Sequence, residues 1–138
     1  LTLHGFLGAD GRKLADIMAE DARTVAAAGV THGQIADALE RLTVAGRDLM
    51  ESEVVVAGRY VVTVRDDRGV LPSPFGDGHF EKGDVVMTDR TTGVRLRWNG
   101  LTTHMIRAWG FYCGRGCDYR LEPGDAIRVL GIAAQTEG

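Results

Sequence analysis

Apolar residues recur at spacings of three, four and seven up to about residue 50, and at alternate positions from residue 54 onwards. The first period is that of a helix and the second that of a half-buried strand. Leu14, Ile17, Met18 and Val25 fall on one face of a helix that Asp10 can cap with a side-chain oxygen. Gly29 stands where a left-handed residue ends such a helix. The next start, Thr31-His32-Gly33-Gln34, has the spacing of a capping box, with Val30 and Ile35 placed as a hydrophobic staple. Ile35, Ala38, Leu39, Leu42 and Leu49 extend one stripe to about Met50. Residues 10–51 are predicted as a helical hairpin, preceded by a tail over 1–9.

Beyond Glu53 the chain is rich in β-branched residues. Val54-Val55-Val56 and Tyr60 to Val64 read as strands broken by a bend or bulge at Ala57-Gly58. Asp66 to Gly69 is a turn by composition. Val85-Val86-Met87 and Val94 to Trp98 flank Asp89 to Gly93, a hairpin turn with glycine at its left-handed position. Residues 70–83 hold two prolines and three glycines and are predicted as an irregular loop, able to act as a lid. Asn99-Gly100 reads as a turn, and Leu101 to Trp109 as a short helix ended by Gly110, with Leu101, Met105, Ile106 and Trp109 on its apolar face. Phe111 to Leu121 reads as extended, interrupted at Gly114-Arg115-Gly116, and Pro123 to Leu130 as a helical turn or an edge strand.

The predicted class is α+β, with an N-terminal helical hairpin packed on an antiparallel sheet of four to five strands and one short extra helix near 101–109. The 138 residues form a single domain, mainly β over 53–132, long enough to build one core without disulfides or metal. No segment approaches the roughly 18 to 20 apolar residues that cross a bilayer. The opening Leu1 to Gly8 has neither a basic region nor a long apolar run, so it is not read as a secretory signal, and a cytoplasmic location is expected.

Charge narrows the partners. The formal net charge is −3, which lacks the basic footprint that nucleic acid requires. Arginine outnumbers lysine 14 to 2 and glycine reaches 19, a bias expected of a GC-rich bacterial gene. Residues 1–53 carry nine acids against five bases, whereas 91–138 carry six arginines against four acids. Ala28-Gly29-Val30-Thr31 followed by Ile35 resembles the turn of a helix-turn-helix over about a dozen residues. Asp37, Glu40 and Asp48 would then line the reading helix, and Thr24 falls where an apolar residue is required, so a packed hairpin is the preferred reading.

The densest chemistry lies between His104 and Arg120. Cys113 and Cys117 have three residues between them and form one pair only, which is not the spacing or number of a zinc site, so no metal or cofactor is expected. A disulfide across Gly114-Arg115-Gly116 would close a very short loop, and reduced thiols are expected, with Arg115 between them able to favour a thiolate. Candidate catalytic groups are His79, His104 and Cys113. His32 reads as a solvent-exposed first-turn residue and His4 as part of the tail. Asp77, His79 and Glu81 read as turn chemistry on a glycine-rich loop. No nucleophile-elbow, zincin or phosphate-loop spacing accompanies any of them.

Guanidinium and aromatic groups bind carboxylates, phosphates and flat rings by fork geometry and stacking. Arg95 and Arg97 alternate onto one sheet face, with Val94, Leu96 and Trp98 on the other. The expected role is a binding module for a small anionic or aromatic ligand or a protein partner, as a homodimer using the apolar tail Leu1 to Leu7 and the amphipathic hairpin. The expected ligand-binding residues are His79, His104, Arg107, Tyr112, Arg115, Tyr119 and Arg120. The alternatives are a small enzyme with a histidine acid/base and Cys113 as nucleophile, and a nucleic-acid regulator using the hairpin.

Overall fold

A computed structural model describes residues 3–49, 52–65 and 69–134. Among these described residues, five helices and two sheets follow in the order α1 (Leu3–Leu7), α2 (Leu14–Ala27), α3 (His32–Arg47), β1 (Val54–Val56), β2 (Tyr60–Val64), β3 (Val70–Pro72), β4 (His79–Glu81), β5 (Val85–Asp89), β6 (Arg95–Trp98), α4 (Gly100–Trp109) and α5 (Pro123–Leu130). The larger sheet is antiparallel throughout, in the order β1-β2-β5-β6, and β3 and β4 form a separate hairpin. This is the predicted α+β class with a four-stranded sheet.

Local chemistry accounts for the elements read most sharply from sequence. Thr31 and Gln34 form the reciprocal capping box of α3, and Val30 and Ile35 are buried beside it. Gly93 takes φ +77 in the β5–β6 turn, and Gly110 takes φ +62 at the end of α4. Ala57 and Gly58 are both left-handed, so their break is a tight β1–β2 turn rather than a bulge inside a strand. Asn99 is the N-cap of α4, not a turn residue, and shares a capping box with Thr102.

Strand alternation sends Val62, Val64, Val85, Met87, Leu96 and Trp98 to one face of the sheet. There they pack against Ile35, Leu39 and Leu42 of α3 and Val129 of α5 in the main core. Each such buried side chain contributes about 1.5 to 3 kcal/mol of transfer free energy. Gly46 allows α3 to approach the sheet, because a Cβ there would sit 2.8 Å from Val64 and 2.9 Å from Val62. The Trp98 indole, buried beneath α3, donates to Thr43 Oγ1 at 2.8 Å.

A second core lies under α4 and contains Phe6, Ile17, Leu101, Met105, Phe111 and Cys113. It changes the reading of the N-terminus. Residues 3–7 of the predicted tail are helical, and Phe6 is buried in this chain's own core, which withdraws it from the expected dimer surface. Asp10 does not cap α2. Lys13 occupies that position without a side-chain cap, while Asp10 binds Arg12 and the Arg115 N–H.

Other segments are also resolved or changed relative to the expectation. The predicted loop over 70–83 contains β3 and β4, paired Val70 to Glu81 through Pro72 to His79. Residues 111–121 contribute no strand and run as turns, and 123–130 is a full helix that begins with proline at N1. Trp109 and Leu49 are exposed rather than part of their apolar stripes. The Asp66 to Gly69 turn and Met50 fall largely or wholly outside the described residues.

Arg120 crosslinks these layers. Its guanidinium grips Asp21 of α2, Glu122 at the N-cap of α5 and the Cys113 carbonyl oxygen, and the Arg120 and Asp21 side chains are only 8% and 5% exposed. Removing one member of such a buried pair strands the other charge. Arg120→Met is expected to cost about 3 to 5 kcal/mol in urea unfolding. The double variant Asp21→Leu/Arg120→Met is expected to recover most of that loss, and an equal or larger loss would show that the pair's role lies elsewhere.

Candidate functional site

The β3–β4 hairpin docks on α4 through one carboxylate. Asp77 Oδ2 lies 2.7 Å from His104 Nε2 and accepts from Trp109 Nε1 at 2.9 Å, and the Ser73 hydroxyl also donates to Asp77. Gly76 and Gly78, at φ +74 and +133, supply the backbone turn that presents it. These donors hold the Asp77 carboxyl far below the ordinary carboxylate range, Ser73 acting most strongly, then Trp109, against a smaller cost of desolvation. Aromatic contacts flank the node. Phe80 stacks on the His104 ring at 3.9 Å, and Phe75 stacks on Trp109 at 4.6 Å. The exposed Trp109 is therefore a docking group for the hairpin.

This docking closes one side of a groove of about 380 Å³ between α3, α4 and β4. Glu40 and Arg47 of α3, Glu81 of β4 and His104 and Arg107 of α4 supply its charged and imidazole groups. Arg107 bridges to Asp37 at 2.7 Å and Glu40 at 3.0 Å, and Arg47 pairs with Glu81. All five of these side chains are more than two-fifths exposed. Exposed pairs of this kind are worth about 0 to 1 kcal/mol, so a ligand anion can replace either carboxylate at small cost. His104 is fixed through Nε2, and Nδ1 has no hydrogen-bond partner among the described residues. Thr43 and Thr103 also line the groove, but their hydroxyls donate to the helix carbonyls of Leu39 and Asn99.

Of the residues singled out from sequence, His104 and Arg107 meet in this groove, and the hairpin predicted as a lid forms its wall. The others are placed differently. His79 is exposed on β4 opposite Pro72. Tyr112 is buried, and its hydroxyl lies 2.7 Å from His32 Nδ1. Burial raises the Tyr112 pKa and lowers that of His32, which corrects the reading of His32 as a solvated first-turn residue. Arg115 is exposed near Asp10 and Glu20, and Arg120 is the internal crosslink.

Tyr119 donates to Asp84 Oδ1 at 2.7 Å and carries Arg97 over its ring at 4.8 Å. Burial, together with the Asp84 carboxylate, pushes its pKa up to about 12. Cys113 is buried in the second core, and no histidine bonds to it among the described residues.

Arg95 and Arg97 do share the outer sheet face. With Thr63, Arg65, Asp84 and Val86 they line a shallower depression of about 340 Å³. Arg97 is held there by Asp84. On α3, the helix that the helix-turn-helix resemblance would use for reading, Ile35, Ala38 and Leu39 face the core, and the exposed Asp37 and Glu40 pair with Arg107. Among the described residues, no three His, Cys, Asp or Glu side chains gather as metal ligands would, and no helix is long and apolar enough to cross a membrane.

What the sequence missed was partnership. Asp77 was visible as an acid on a glycine-rich turn, but its partners on α4 lie 27 and 32 residues away. No family model, curated protein sequence or solved structure matches the chain.

A group whose pKa is depressed in the folded state stabilises above its ordinary value and loses that contribution as pH falls. The ordinary value here is 3.8. Wild type is thus expected to melt above Asp77→Asn at neutral pH, and the gap is expected to narrow below about pH 4. A gap that stays constant across an acid thermal-unfolding series would remove the Asp77 node from the account.

Proposed function

We propose that the protein is a binding module for a small anionic molecule, held in the groove between α3, α4 and β4. The observation that carries this reading is the His104 ring, clamped between Asp77 and Phe80 with Nδ1 left unpaired, on the same wall as an arginine whose carboxylate partners are exposed. Arg107 and Arg47 would exchange Glu40 and Glu81 for a ligand carboxylate or phosphate, and His104 would set its orientation. Fork-shaped guanidinium groups suit both anions.

The Asp77–His104 pair favours a second reading, a small enzyme in which His104 is a general acid/base. The two lining threonines are engaged with helix carbonyls and Cys113 is buried, so His104 would act on water or on the ligand itself. We also read the chain as bacterial, on its arginine-over-lysine and glycine bias, and as a cytoplasmic protein. A homodimer would use the outer side of α3, where Val44 is exposed, together with Leu49 just beyond its end.

A thermal-shift screen of di- and tricarboxylates and phosphate monoesters tests the binding reading. A ligand at 100 times its dissociation constant adds about 2.7 kcal/mol of stability. Arg107→Gln and Arg47→Gln are each expected to weaken binding by about 10- to 100-fold, the worth of a charge-assisted hydrogen bond. Stabilisation that survives in both variants would place the ligand elsewhere.

A further inference from the structure

Cys113 and Cys117 stand at the two ends of the Gly114-Arg115-Gly116 turn, which the Cys117 N–H closes onto the Gly114 carbonyl at 3.2 Å. Cys113 is itself left-handed at φ +68, and Gly116 takes φ +87. The corner is held from outside. The Gly114 N–H donates to the Phe6 carbonyl at 2.7 Å, the Ala9 N–H donates to the Arg115 carbonyl at 3.0 Å, and a Cβ at Gly114 would fall on the Leu7 carbonyl. Both thiols are free and share the second core. Cys113 is buried and Cys117 is partly exposed, so a small reagent reaches Cys117 first.

The thiols are also chemically unequal. Hydrogen bonding from neighbouring Cys113, more than any other influence, draws Cys117 from 9.0 down to about 6. Partial burial opposes the shift, the Tyr119 N–H assists it, Asp118 opposes it and Arg97 assists it. Arg115, the group expected from sequence to favour a thiolate, is not among these causes. Donation and burial push Cys113 the other way, far above the ordinary thiol range. The pair therefore keeps one proton on the inner sulfur and leaves the outer one as the nucleophile.

We propose that Cys117 and Cys113 form a hydroperoxide-reactive dithiol, with Cys117 the attacking thiolate and Cys113 the resolving thiol. The Cys117 sulfur attacks the terminal oxygen of the hydroperoxide, the O–O bond breaks, and the departing alkoxide or hydroxide takes a proton from water. Cys117 is then a sulfenic acid, oxidised by two electrons. The Cys113 sulfur attacks it, the S–O bond breaks, and hydroxide leaves with the Cys113 proton as water. A disulfide remains across the turn, whose two glycines can absorb the backbone adjustment.

The magnitude sets the conditions of the test. A thiol at about 6 is almost wholly thiolate at pH 7, but a low pKa also lowers nucleophilicity, so its gain over an ordinary thiol is only about fourfold. At pH 6 the same arithmetic gives about twentyfold. The reduced full-length protein is treated with hydrogen peroxide at pH 6 and its intact mass is followed. Wild type is expected to lose two hydrogen atoms, Cys113→Ala to gain one oxygen that dimedone traps, and Cys117→Ser to change at least tenfold more slowly. Equal rates in Cys117→Ser and wild type, or oxygen gain in wild type without hydrogen loss, would overturn the proposal. Iodoacetamide alkylation of unmutated protein is independent of variant folding. Its rate is expected to be half-maximal near about pH 6, and a midpoint near 9 would overturn the assignment of Cys117.

Discussion

The Asp77 carboxylate is the constraint on which the candidate site depends. One anion receives side-chain donors from its own hairpin and from the middle and C-terminal end of α4, so the hairpin and the helix become one wall. Gly100 makes the approach possible at the start of α4, where a Cβ would sit 2.9 Å from the Glu81 carbonyl oxygen. Without this docking, Phe80 would leave His104 and Glu81 would leave Arg47, and the groove would lose one side. The same contacts that assemble the site thus consume much of its polarity. What remains available is His104 Nδ1 and guanidinium groups in replaceable surface pairs.

Arginine use separates architecture from recognition in this chain. Arg120 is buried and crosslinks α2, the cysteine corner and α5, whereas Arg59 grips Asp89 bidentately at 2.7 and 2.9 Å and ties the β1–β2 turn to β5. Arg97 is anchored by Asp84 and stacked on Tyr119. These three are committed, and replacing them perturbs the fold before any site. Arg47 and Arg107 sit in exposed pairs, where the cost of changing partners is small. Exposure and partner accessibility, not the density of arginine along the sequence, identify the groups able to meet a ligand.

Elements whose causes lie within a few residues were legible in the sequence. The Thr31–Gln34 box, the α4 stripe ending at Gly110 and the Asp89 to Gly93 turn all follow from contacts no more than five residues apart. Elements whose causes lie far along the chain were not. Phe6 makes α1 a packed helix through the second core, and the His32–Tyr112 bond spans 80 residues. The Arg120–Asp21 pair spans 99. The hairpin was read as irregular because its prolines and glycines are poor strand formers, and its order comes from the face of α4 it rests on. His104 and Arg107 were singled out from a crowded stretch of sequence. The Asp77 node that gives His104 its orientation emerges only in three dimensions.

The groove and the arginine-bearing sheet face are two depressions of the described residues lined by guanidinium groups, and one spectrum distinguishes them as sites for an anion. In a ¹H–¹⁵N titration of the full chain with citrate, and in parallel with an aryl phosphate, the account predicts shifts confined to backbone amides around Glu40 to Arg47, Phe80 to Glu81 and Thr103 to Arg107. Shifts centred on Thr63, Arg95 and Arg97, with the α3–α4 amides unmoved, would contradict it.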